Sequence, residues 1–422
     1  MELTLESIDL VNPERYVSEG YPYAEWEYLR RHAPVFWYDR PDVRPFWAVT
    51  KHADIVAVSR APELFLSSRR FPFFIVPRSA EGDAVEQPLP MRNLLQMDLP
   101  EHRHYRALTS RHFTPRALRK LESEVAQLAR KIMQDLAAQA HGTPPTVECD
   151  FVLDVAAKLP LTVIAAMLGI PPEDRATVLR WTNEVIGGAD PEFQSEASAS
   201  ETSLRAKDDL FRYFVQLCEQ RRDTPSEDLV SVLVHARIDG EPLPVFELMS
   251  YFHLLVVAGN ETTRNATSGG LLALIENRDQ WELLKRDPTT LPMAVEEILR
   301  WTSPVIQFTR TAAKDVELHD KLIREGEDLA LYYPSANRDE EVFEAPNRFD
   351  ITRHPNPHLA FGIGEHVCLG ANLARLELKA VFQEFLARVD DAELTGPVER
   401  LRSVFVGGIK HVPVRLKLRS GG

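Results

Sequence analysis

Phe361-Gly-Ile-Gly-Glu-His-Val-Cys-Leu-Gly370 is the stretch from which the rest of the chain can be read. Gly362, Gly364 and Gly370 free the backbone for turns and for close approach to a flat partner that a side chain would block. Cys368 stands immediately before Leu369–Val389, whose apolar residues recur at helical spacing. A thiolate there meets the positive end of a helix dipole and free backbone N–H groups. Those donors stabilise the anion and moderate the charge it offers a metal. A lone cysteine in a turn is more often a small inert side chain, so the surroundings of the loop must decide.

Three other segments carry polar groups at helical spacing. Glu297 and Arg300 stand at i and i+3 and share a helix face; alone, such a pair is equally a weak surface ion pair. His102 and Arg106, in Asp98-Leu-Pro-Glu-His-Arg-His-Tyr-Arg106, stand at i and i+4, and Arg suits two-point contact with a carboxylate. Each could also be a plain surface cation. Proline is absent from Val245 to Asp287. If Val245–Glu276 is one helix, its 32 residues extend about 48 Å and its middle crosses the core. That middle, Ala258-Gly-Asn-Glu-Thr-Thr263, is rich in poor helix formers, and Thr can bond the carbonyl four residues back and bend the axis. A polar patch inside a buried helix marks a site; a solvated turn is the alternative.

Further helices are expected over Leu118–Gln139, Ala176–Ile186 and Leu204–Arg222. Short strands are expected over Val35–Tyr38, Phe46–Val49, Asp328–Tyr333 and Val412–Leu416. The fold class is therefore mainly α with a small β region. Phe71–Leu95 and Gly187–Ser203 lack periodicity and read either as covers over a site or as plain surface loops. With no Gly/Ser or Pro-rich linker, residues 1–422 are expected to form a single domain without a fused reductase or ferredoxin module.

Composition narrows the function. The net charge is 49 − 63 = −14, which argues against a nucleic-acid partner. Cys149, Cys218 and Cys368 form no Cys-x-x-Cys pair, which argues against zinc and iron–sulfur sites and suits a reducing compartment. Cys218, in a helical run, reads as a core residue. The first ten residues lack a basic n-region, and no apolar run approaches the ~20 residues of a membrane span. No membrane anchor and a cytoplasmic location are expected.

Phe361-x-x-Gly364-x-His366-x-Cys368-x-Gly370 resembles the haem-binding loop of the cytochrome P-450 family. Glu297-Ile-Leu-Arg300, Ala258-Gly-Asn-Glu-Thr262 and the segment with His102 and Arg106 resemble three further motifs of that family, in its order. The resemblance implies a long central helix and the cysteine loop on opposite faces of haem b (iron protoporphyrin IX), with the Cys368 thiolate as axial ligand. Phe361, Gly362, Gly370, Ala258 and Gly259 would lie against the haem, and His102, Arg106, Arg310 and His366 would hold its propionates. Gly259 would leave room for O2, Thr262 would act as hydrogen-bond donor on the oxygen side, and Glu261 would relay protons. The family more often has Asp at the position of Glu261, which leaves the route of that relay open. Glu297, Arg300 and Arg348 would lock the fold around the haem.

The implied activity is a haem-thiolate monooxygenase that uses O2 to oxidise an apolar small molecule. Electrons would come from NAD(P)H through ferredoxin reductase and ferredoxin. Leu254, Val257, Val305, Ile306, Phe308 and Phe405 would line the substrate pocket, with Val404 and Val406 near it; core packing is the alternative for each. Arg103, Arg111, Arg116, Arg119 and Lys120 form either a docking face for an acidic ferredoxin or a solvated helix face. Gly259–Asn265 is similar to members that hydroxylate steroids, fatty acids or other lipids; terpenes also remain open. A haem-thiolate isomerase or dehydratase and a haem-based sensor are the rival readings. The Glu261/Thr262 pair argues against the first, and the lack of a signalling module against the second.

Overall fold

The computed structural model describes residues 3–41, 43–69, 92–187 and 190–419. The helices that frame the site are α1 (Glu101–Ser110), α2 (Glu122–Ala137), α3 (Lys158–Leu168), α4 (Arg175–Gly187), α5 (Ala199–Asp223), α6 (Val245–Glu276), α7 (Leu291–Thr302) and α8 (Ala371–Arg388). The proline-free stretch is one unbroken helix, α6, with the bounds its sequence predicts. It is buried along most of its length and packs against α3, α5, α7 and α8. Helix association, rather than propensity, therefore holds its poorly helix-forming middle in register.

Two predicted helices have different bounds. Leu118–Gln139 divides into a short helix, Pro115–Leu118, and α2; Thr114 caps the first by accepting from the Ala117 N–H. α5 begins at Ala199, five residues before the periodic run, because the Ser198 side chain accepts from the Glu201 N–H. Ser198-x-x-Glu201 is a capping-box pattern legible in the sequence. The connection before α5 is tied down: Asp190, 2% exposed, accepts from Lys410 and from the Arg402 N–H. Most of Phe71–Leu95, residues 71–91, lies outside the described residues.

The main sheet contains β1 (Val35–Arg40), β2 (Val43–Val49) and β3 (Phe65–Leu66), followed later in the chain by two further strands. A separate strand, β4 (Thr146–Asp150), lies between them in sequence. β5 (Gln307–Ala312) and β6 (Asp328–Tyr332) complete the main sheet in the order β1-β2-β6-β5-β3. Only the β2–β6 pairing is parallel. Phe308 and Arg310 lie two residues apart on β5, hence on one face. β7 (Val389–Leu394) and β8 (Pro413–Leu418) form a second sheet with β4, in the order β7-β8-β4. Cys149 sits in that sheet opposite Val414, and Cys218 is a buried core residue. Among the described residues no helix is long and apolar enough to cross a membrane.

Candidate active site

The loop before α8 takes its shape from its glycines. Gly362 (φ 65°) and Gly364 (φ 77°) adopt left-handed backbone. A Cβ at Gly364 would stand 2.2 Å from the Ser59 carbonyl oxygen, so the loop lies flush on the end of helix His52–Ser59. The Cys368 N–H donates to the Phe361 carbonyl at 2.9 Å and closes the loop on itself. Gly370 is the N-cap of α8, and its N–H approaches the Cys368 sulfur. Burial pushes the thiol up, while the Gly370 N–H, Arg106 and Arg375 favour the thiolate. The Cys368 side chain opens into the cavity beside the loop.

A brace that the sequence reading did not anticipate holds this loop from behind. Arg375, one turn into α8, lies 4.6 Å from the centre of the Phe361 ring and donates twice to Glu296, at 2.6 and 2.8 Å. His358 reaches the same carboxylate at 3.1 Å. Burial opposes the Glu296 charge, but these hydrogen bonds outweigh it and hold its carboxyl down at about 2.

Across the cavity stands α6. Leu254, Ala258, Gly259 and Thr262 line it, and the Thr262 hydroxyl donates to the Ala258 carbonyl at 2.9 Å. Gly259 has a second reason to be glycine: a Cβ there would meet Ile164 of α3 at 2.9 Å. Val257 and Glu261 fall outside the lining arc of the helix. Glu261 turns away to an ion pair with Arg264, which in turn donates to the Asn183 amide oxygen of α4 at 3.0 Å. Burial raises the Glu261 carboxyl, with Arg264 opposing. Any proton route through Glu261 therefore begins behind the helix rather than in the cavity.

Val305 and Phe308 also line the cavity. Ile306 does not; it packs in a core cluster beside Trp26 and Tyr332. Phe405 stands behind Phe308, with ring centres 5.9 Å apart, and neither it nor Val404 or Val406 is on the wall. Alternation along the chain after α7 explains the split between Val305 and Ile306.

One edge of the cavity is cationic. His102 and Arg106 on α1 both reach it, as their i, i+4 spacing predicts, and His366 joins them. The His102 and His366 rings are 4.2 Å apart, and Arg106 donates to the Val367 carbonyl at 2.7 Å. Burial first, then neighbouring cations, lower His102 to about 4 and His366 to about 2. Arg310 is buried just behind and is the largest charged contributor to the His366 shift. Among the described residues neither ring nitrogen of His102 has a hydrogen-bond partner, although the residue is fully buried; Glu365 at 4.0 Å is too distant. A buried donor left this way calls for an acceptor.

The Glu297–Arg300 pair is buried, not superficial: both side chains are 0% exposed and 2.7 Å apart. The third member of the network is Arg353, whose Nε lies 3.2 Å from Glu297. Arg348, expected in that role, is exposed and offers only its backbone carbonyl, to Arg300 and Arg353. The sequence motif marked the correct loop but not which of its arginines folds inward. Of the expected docking cations, Arg103 is paired with Glu365 at 2.6 Å. Glu377 on α8 also escaped the sequence reading. It lines the cavity near Thr263, is 1% exposed, and burial pushes its carboxyl up to about 8. An acid on the apolar face of an amphipathic helix was the available signal.

The donor set fits haem. The orphaned His102 beside Arg106 suits carboxylates, and a Cβ at Gly370 would meet open space within 4 Å, leaving a flat group room beside Cys368. A thiol on one wall, a back-bonded hydroxyl on the other and a cationic edge between them define a haem-thiolate oxygenase. A cytochrome P-450 family model matches residues 285–390. The steroid C26-monooxygenase of Mycolicibacterium smegmatis is 42% identical over 93% of this chain and 90% of its own. Cytochrome P-450-terp of a Pseudomonas species is 36% identical, over 96% of each chain. The solved structure of a Mycobacterium marinum cytochrome P-450 in complex with pseudoionone superposes with a TM-score of 0.87 at 36% identity, covering 98% of this chain and 99% of that one. The chain belongs to the cytochrome P-450 family and is a haem-thiolate monooxygenase, an oxidoreductase of mainly α fold with a small β region.

Proposed function

We propose that Cys368 is the axial ligand of haem b and that the enzyme hydroxylates an apolar small molecule of steroid or terpenoid class. The carrying observation is that Cys368 and Thr262 line one cavity in which Leu254, Val305 and Phe308 form an apolar wall, set apart from the edge that carries His102, Arg106 and His366. Relatives named steroid C26-monooxygenase and a neighbour holding pseudoionone support the substrate class. Their activity also weighs against the isomerase and sensor readings.

When bound, the haem supplies the iron centre at which O2 is reduced and split, with the thiolate supplying electron density. The protein's own groups do the rest. His102, Arg106 and His366, backed by Arg310, would hold the propionates through charge-assisted hydrogen bonds. Thr262 would present its hydroxyl to the cavity, and Glu261, held in place by Arg264, would relay protons from the α4 side. The apolar walls exclude water and orient the C–H bond. One oxygen atom enters the substrate; the other leaves as water after two electrons and two protons arrive. Those electrons come from NAD(P)H through ferredoxin reductase and ferredoxin in the cytoplasm. The ferredoxin docks by charge at Arg111, Arg116, Arg119 and Lys120. Residues 1–422 work as one domain.

Two measurements test this. The reduced, CO-bound protein should show the red-shifted Soret band of a thiolate-ligated haem; an unshifted band removes Cys368 from the iron. Steroids and terpenoids should give substrate-induced Soret shifts and products carrying one atom from 18O2. A response to fatty acids alone would refute the substrate class while leaving the haem assignment intact.

A further inference from the structure

A second cavity of about 260 Å3 shares Pro304 with the active-site cavity. Its walls come from the C-terminal half of α6, from Trp301 at the end of α7, from Tyr21 and from the turn 403–409. Two buried donors on its lining have no hydrogen-bond partner among the described residues: Asn265 Nδ2 (residue 2% exposed) and Arg338 Nε (residue 4% exposed). The Asn265 amide is oriented by its other end, since Oδ1 accepts from the Ile409 N–H at 3.0 Å. Arg338 is held flat, its guanidinium carbon 3.6 Å from the centre of the Trp301 ring and 4.5 Å from that of Tyr23. Burial disfavours its charge. Arg400 adds a second cationic side chain to the wall. The acids of this cavity, Glu19 and Glu276, are exposed side chains at its rim, and Glu19 is already paired with Arg15. Arg338 Nη1 makes long contacts to the Pro346 carbonyl and Asn347, at 3.4 and 3.5 Å, while its Nε and Asn265 Nδ2 have no acceptor among the described residues.

We propose that this cavity binds a small carboxylate carried on a flat apolar body, at a site separate from the oxidised substrate's. The carboxylate satisfies the Asn265 and Arg338 donors, for which the planar guanidinium is well shaped. Tyr21 and Trp301 offer faces and edges for a ring. A cavity of about 150 Å3 accommodates benzene, so the present one holds a ring together with an acid group. Pro304 lines both cavities, so occupancy of one is felt at the wall of the other.

Saturation-transfer NMR on the haem-loaded enzyme tests the site, with phenylacetate as probe and a haem-coordinating azole filling the active cavity. Asn265→Asp keeps the acceptor for Ile409 but replaces the free donor with a negative charge. Ala273→Leu fills the cavity from its α6 wall without touching a donor. Transfer to phenylacetate should persist in the presence of the azole and fall at least about tenfold in each variant. Phenethylamine should give none. The haem absorption spectrum reports whether each variant is folded, and either variant alone decides the matter if the other misfolds. No transfer in the wild type, loss of transfer on adding azole, equal transfer in a folded variant, or equal transfer to phenethylamine would each overturn the proposal.

Discussion

Replacing Arg353 with Ala removes one of two cations from a carboxylate that is 0% exposed. Glu297 accepts from Arg300 at 2.7 and 2.8 Å, from the Asp350 N–H at 2.9 Å, from Asn356 at 3.1 Å and from Arg353 at 3.2 Å. Arg353 also ties down the carbonyls of Glu344, Ala345 and Arg348, at 2.6, 3.3 and 3.0 Å. Breaking a buried ion pair costs about 3–5 kcal/mol. Arg300 remains on Glu297, which places the loss near the lower end, about 3 kcal/mol, or a factor of roughly 150 in the unfolding constant. Arg348→Ala removes an exposed side chain that is not among the donors to Glu297 and leaves its carbonyl in place, so its effect stays within about 0.5 kcal/mol. Denaturant midpoints of the two haem-loaded variants, followed by tryptophan fluorescence and by Soret absorbance, measure the difference. Equal destabilisation by the two substitutions, or an Arg353→Ala midpoint indistinguishable from wild type, would refute the assignment of Arg353 to the buried network.

Gly364→Ala should lower both stability and haem content, because its Cβ meets the Ser59 carbonyl oxygen at 2.2 Å in a left-handed backbone that alone disfavours an L side chain by about 1–2 kcal/mol; haem per chain and thermal unfolding report the loss. Thr262→Ala should divert reducing equivalents from product to hydrogen peroxide, measured as product formed per NADPH consumed, with substrate binding little changed. Glu377 binds its proton more tightly folded than unfolded, at about 8 against an ordinary value near 4.5. Its contribution to stability is therefore fully present below that ordinary value and is lost as pH rises towards 8. Glu377→Gln should flatten the decline in stability between pH 5 and about 8, and a slope identical to wild type would show that Glu377 is not buried as a neutral acid.

The parts of the fold that sequence makes legible are those where a local pattern meets a global necessity. A 32-residue stretch without proline and with an apolar majority has few ways to exist except as a buried helix, and α6 is that helix. The cysteine loop is similar: its glycines are readable because Gly364 has a backbone neighbour that no side chain could share. Spacing shows which residues share a face, so His102 and Arg106 arrive together. It does not show which neighbour that face meets. Arg348 and Arg353 are five residues apart in an irregular segment, where no periodicity selects the inward one. Ile306 and Phe405 are apolar enough for a pocket wall, but apolarity is equally what the core requires, and only the packing around Trp26 and Phe308 separates the two. Glu296 hid beside Glu297 because its partner, Arg375, is 79 residues away.

The hydrogen bond from Thr262 to Ala258 constrains what that residue can offer. A hydroxyl has one proton and two lone pairs, and here the proton is already committed to the helix's own carbonyl at 2.9 Å. Facing the chamber, Thr262 is an acceptor. It becomes a donor only if a better acceptor draws its hydrogen away from Ala258, leaving that carbonyl free. At rest the hydroxyl thus turns its lone pairs to the chamber, and it donates there only in exchange for its bond to Ala258.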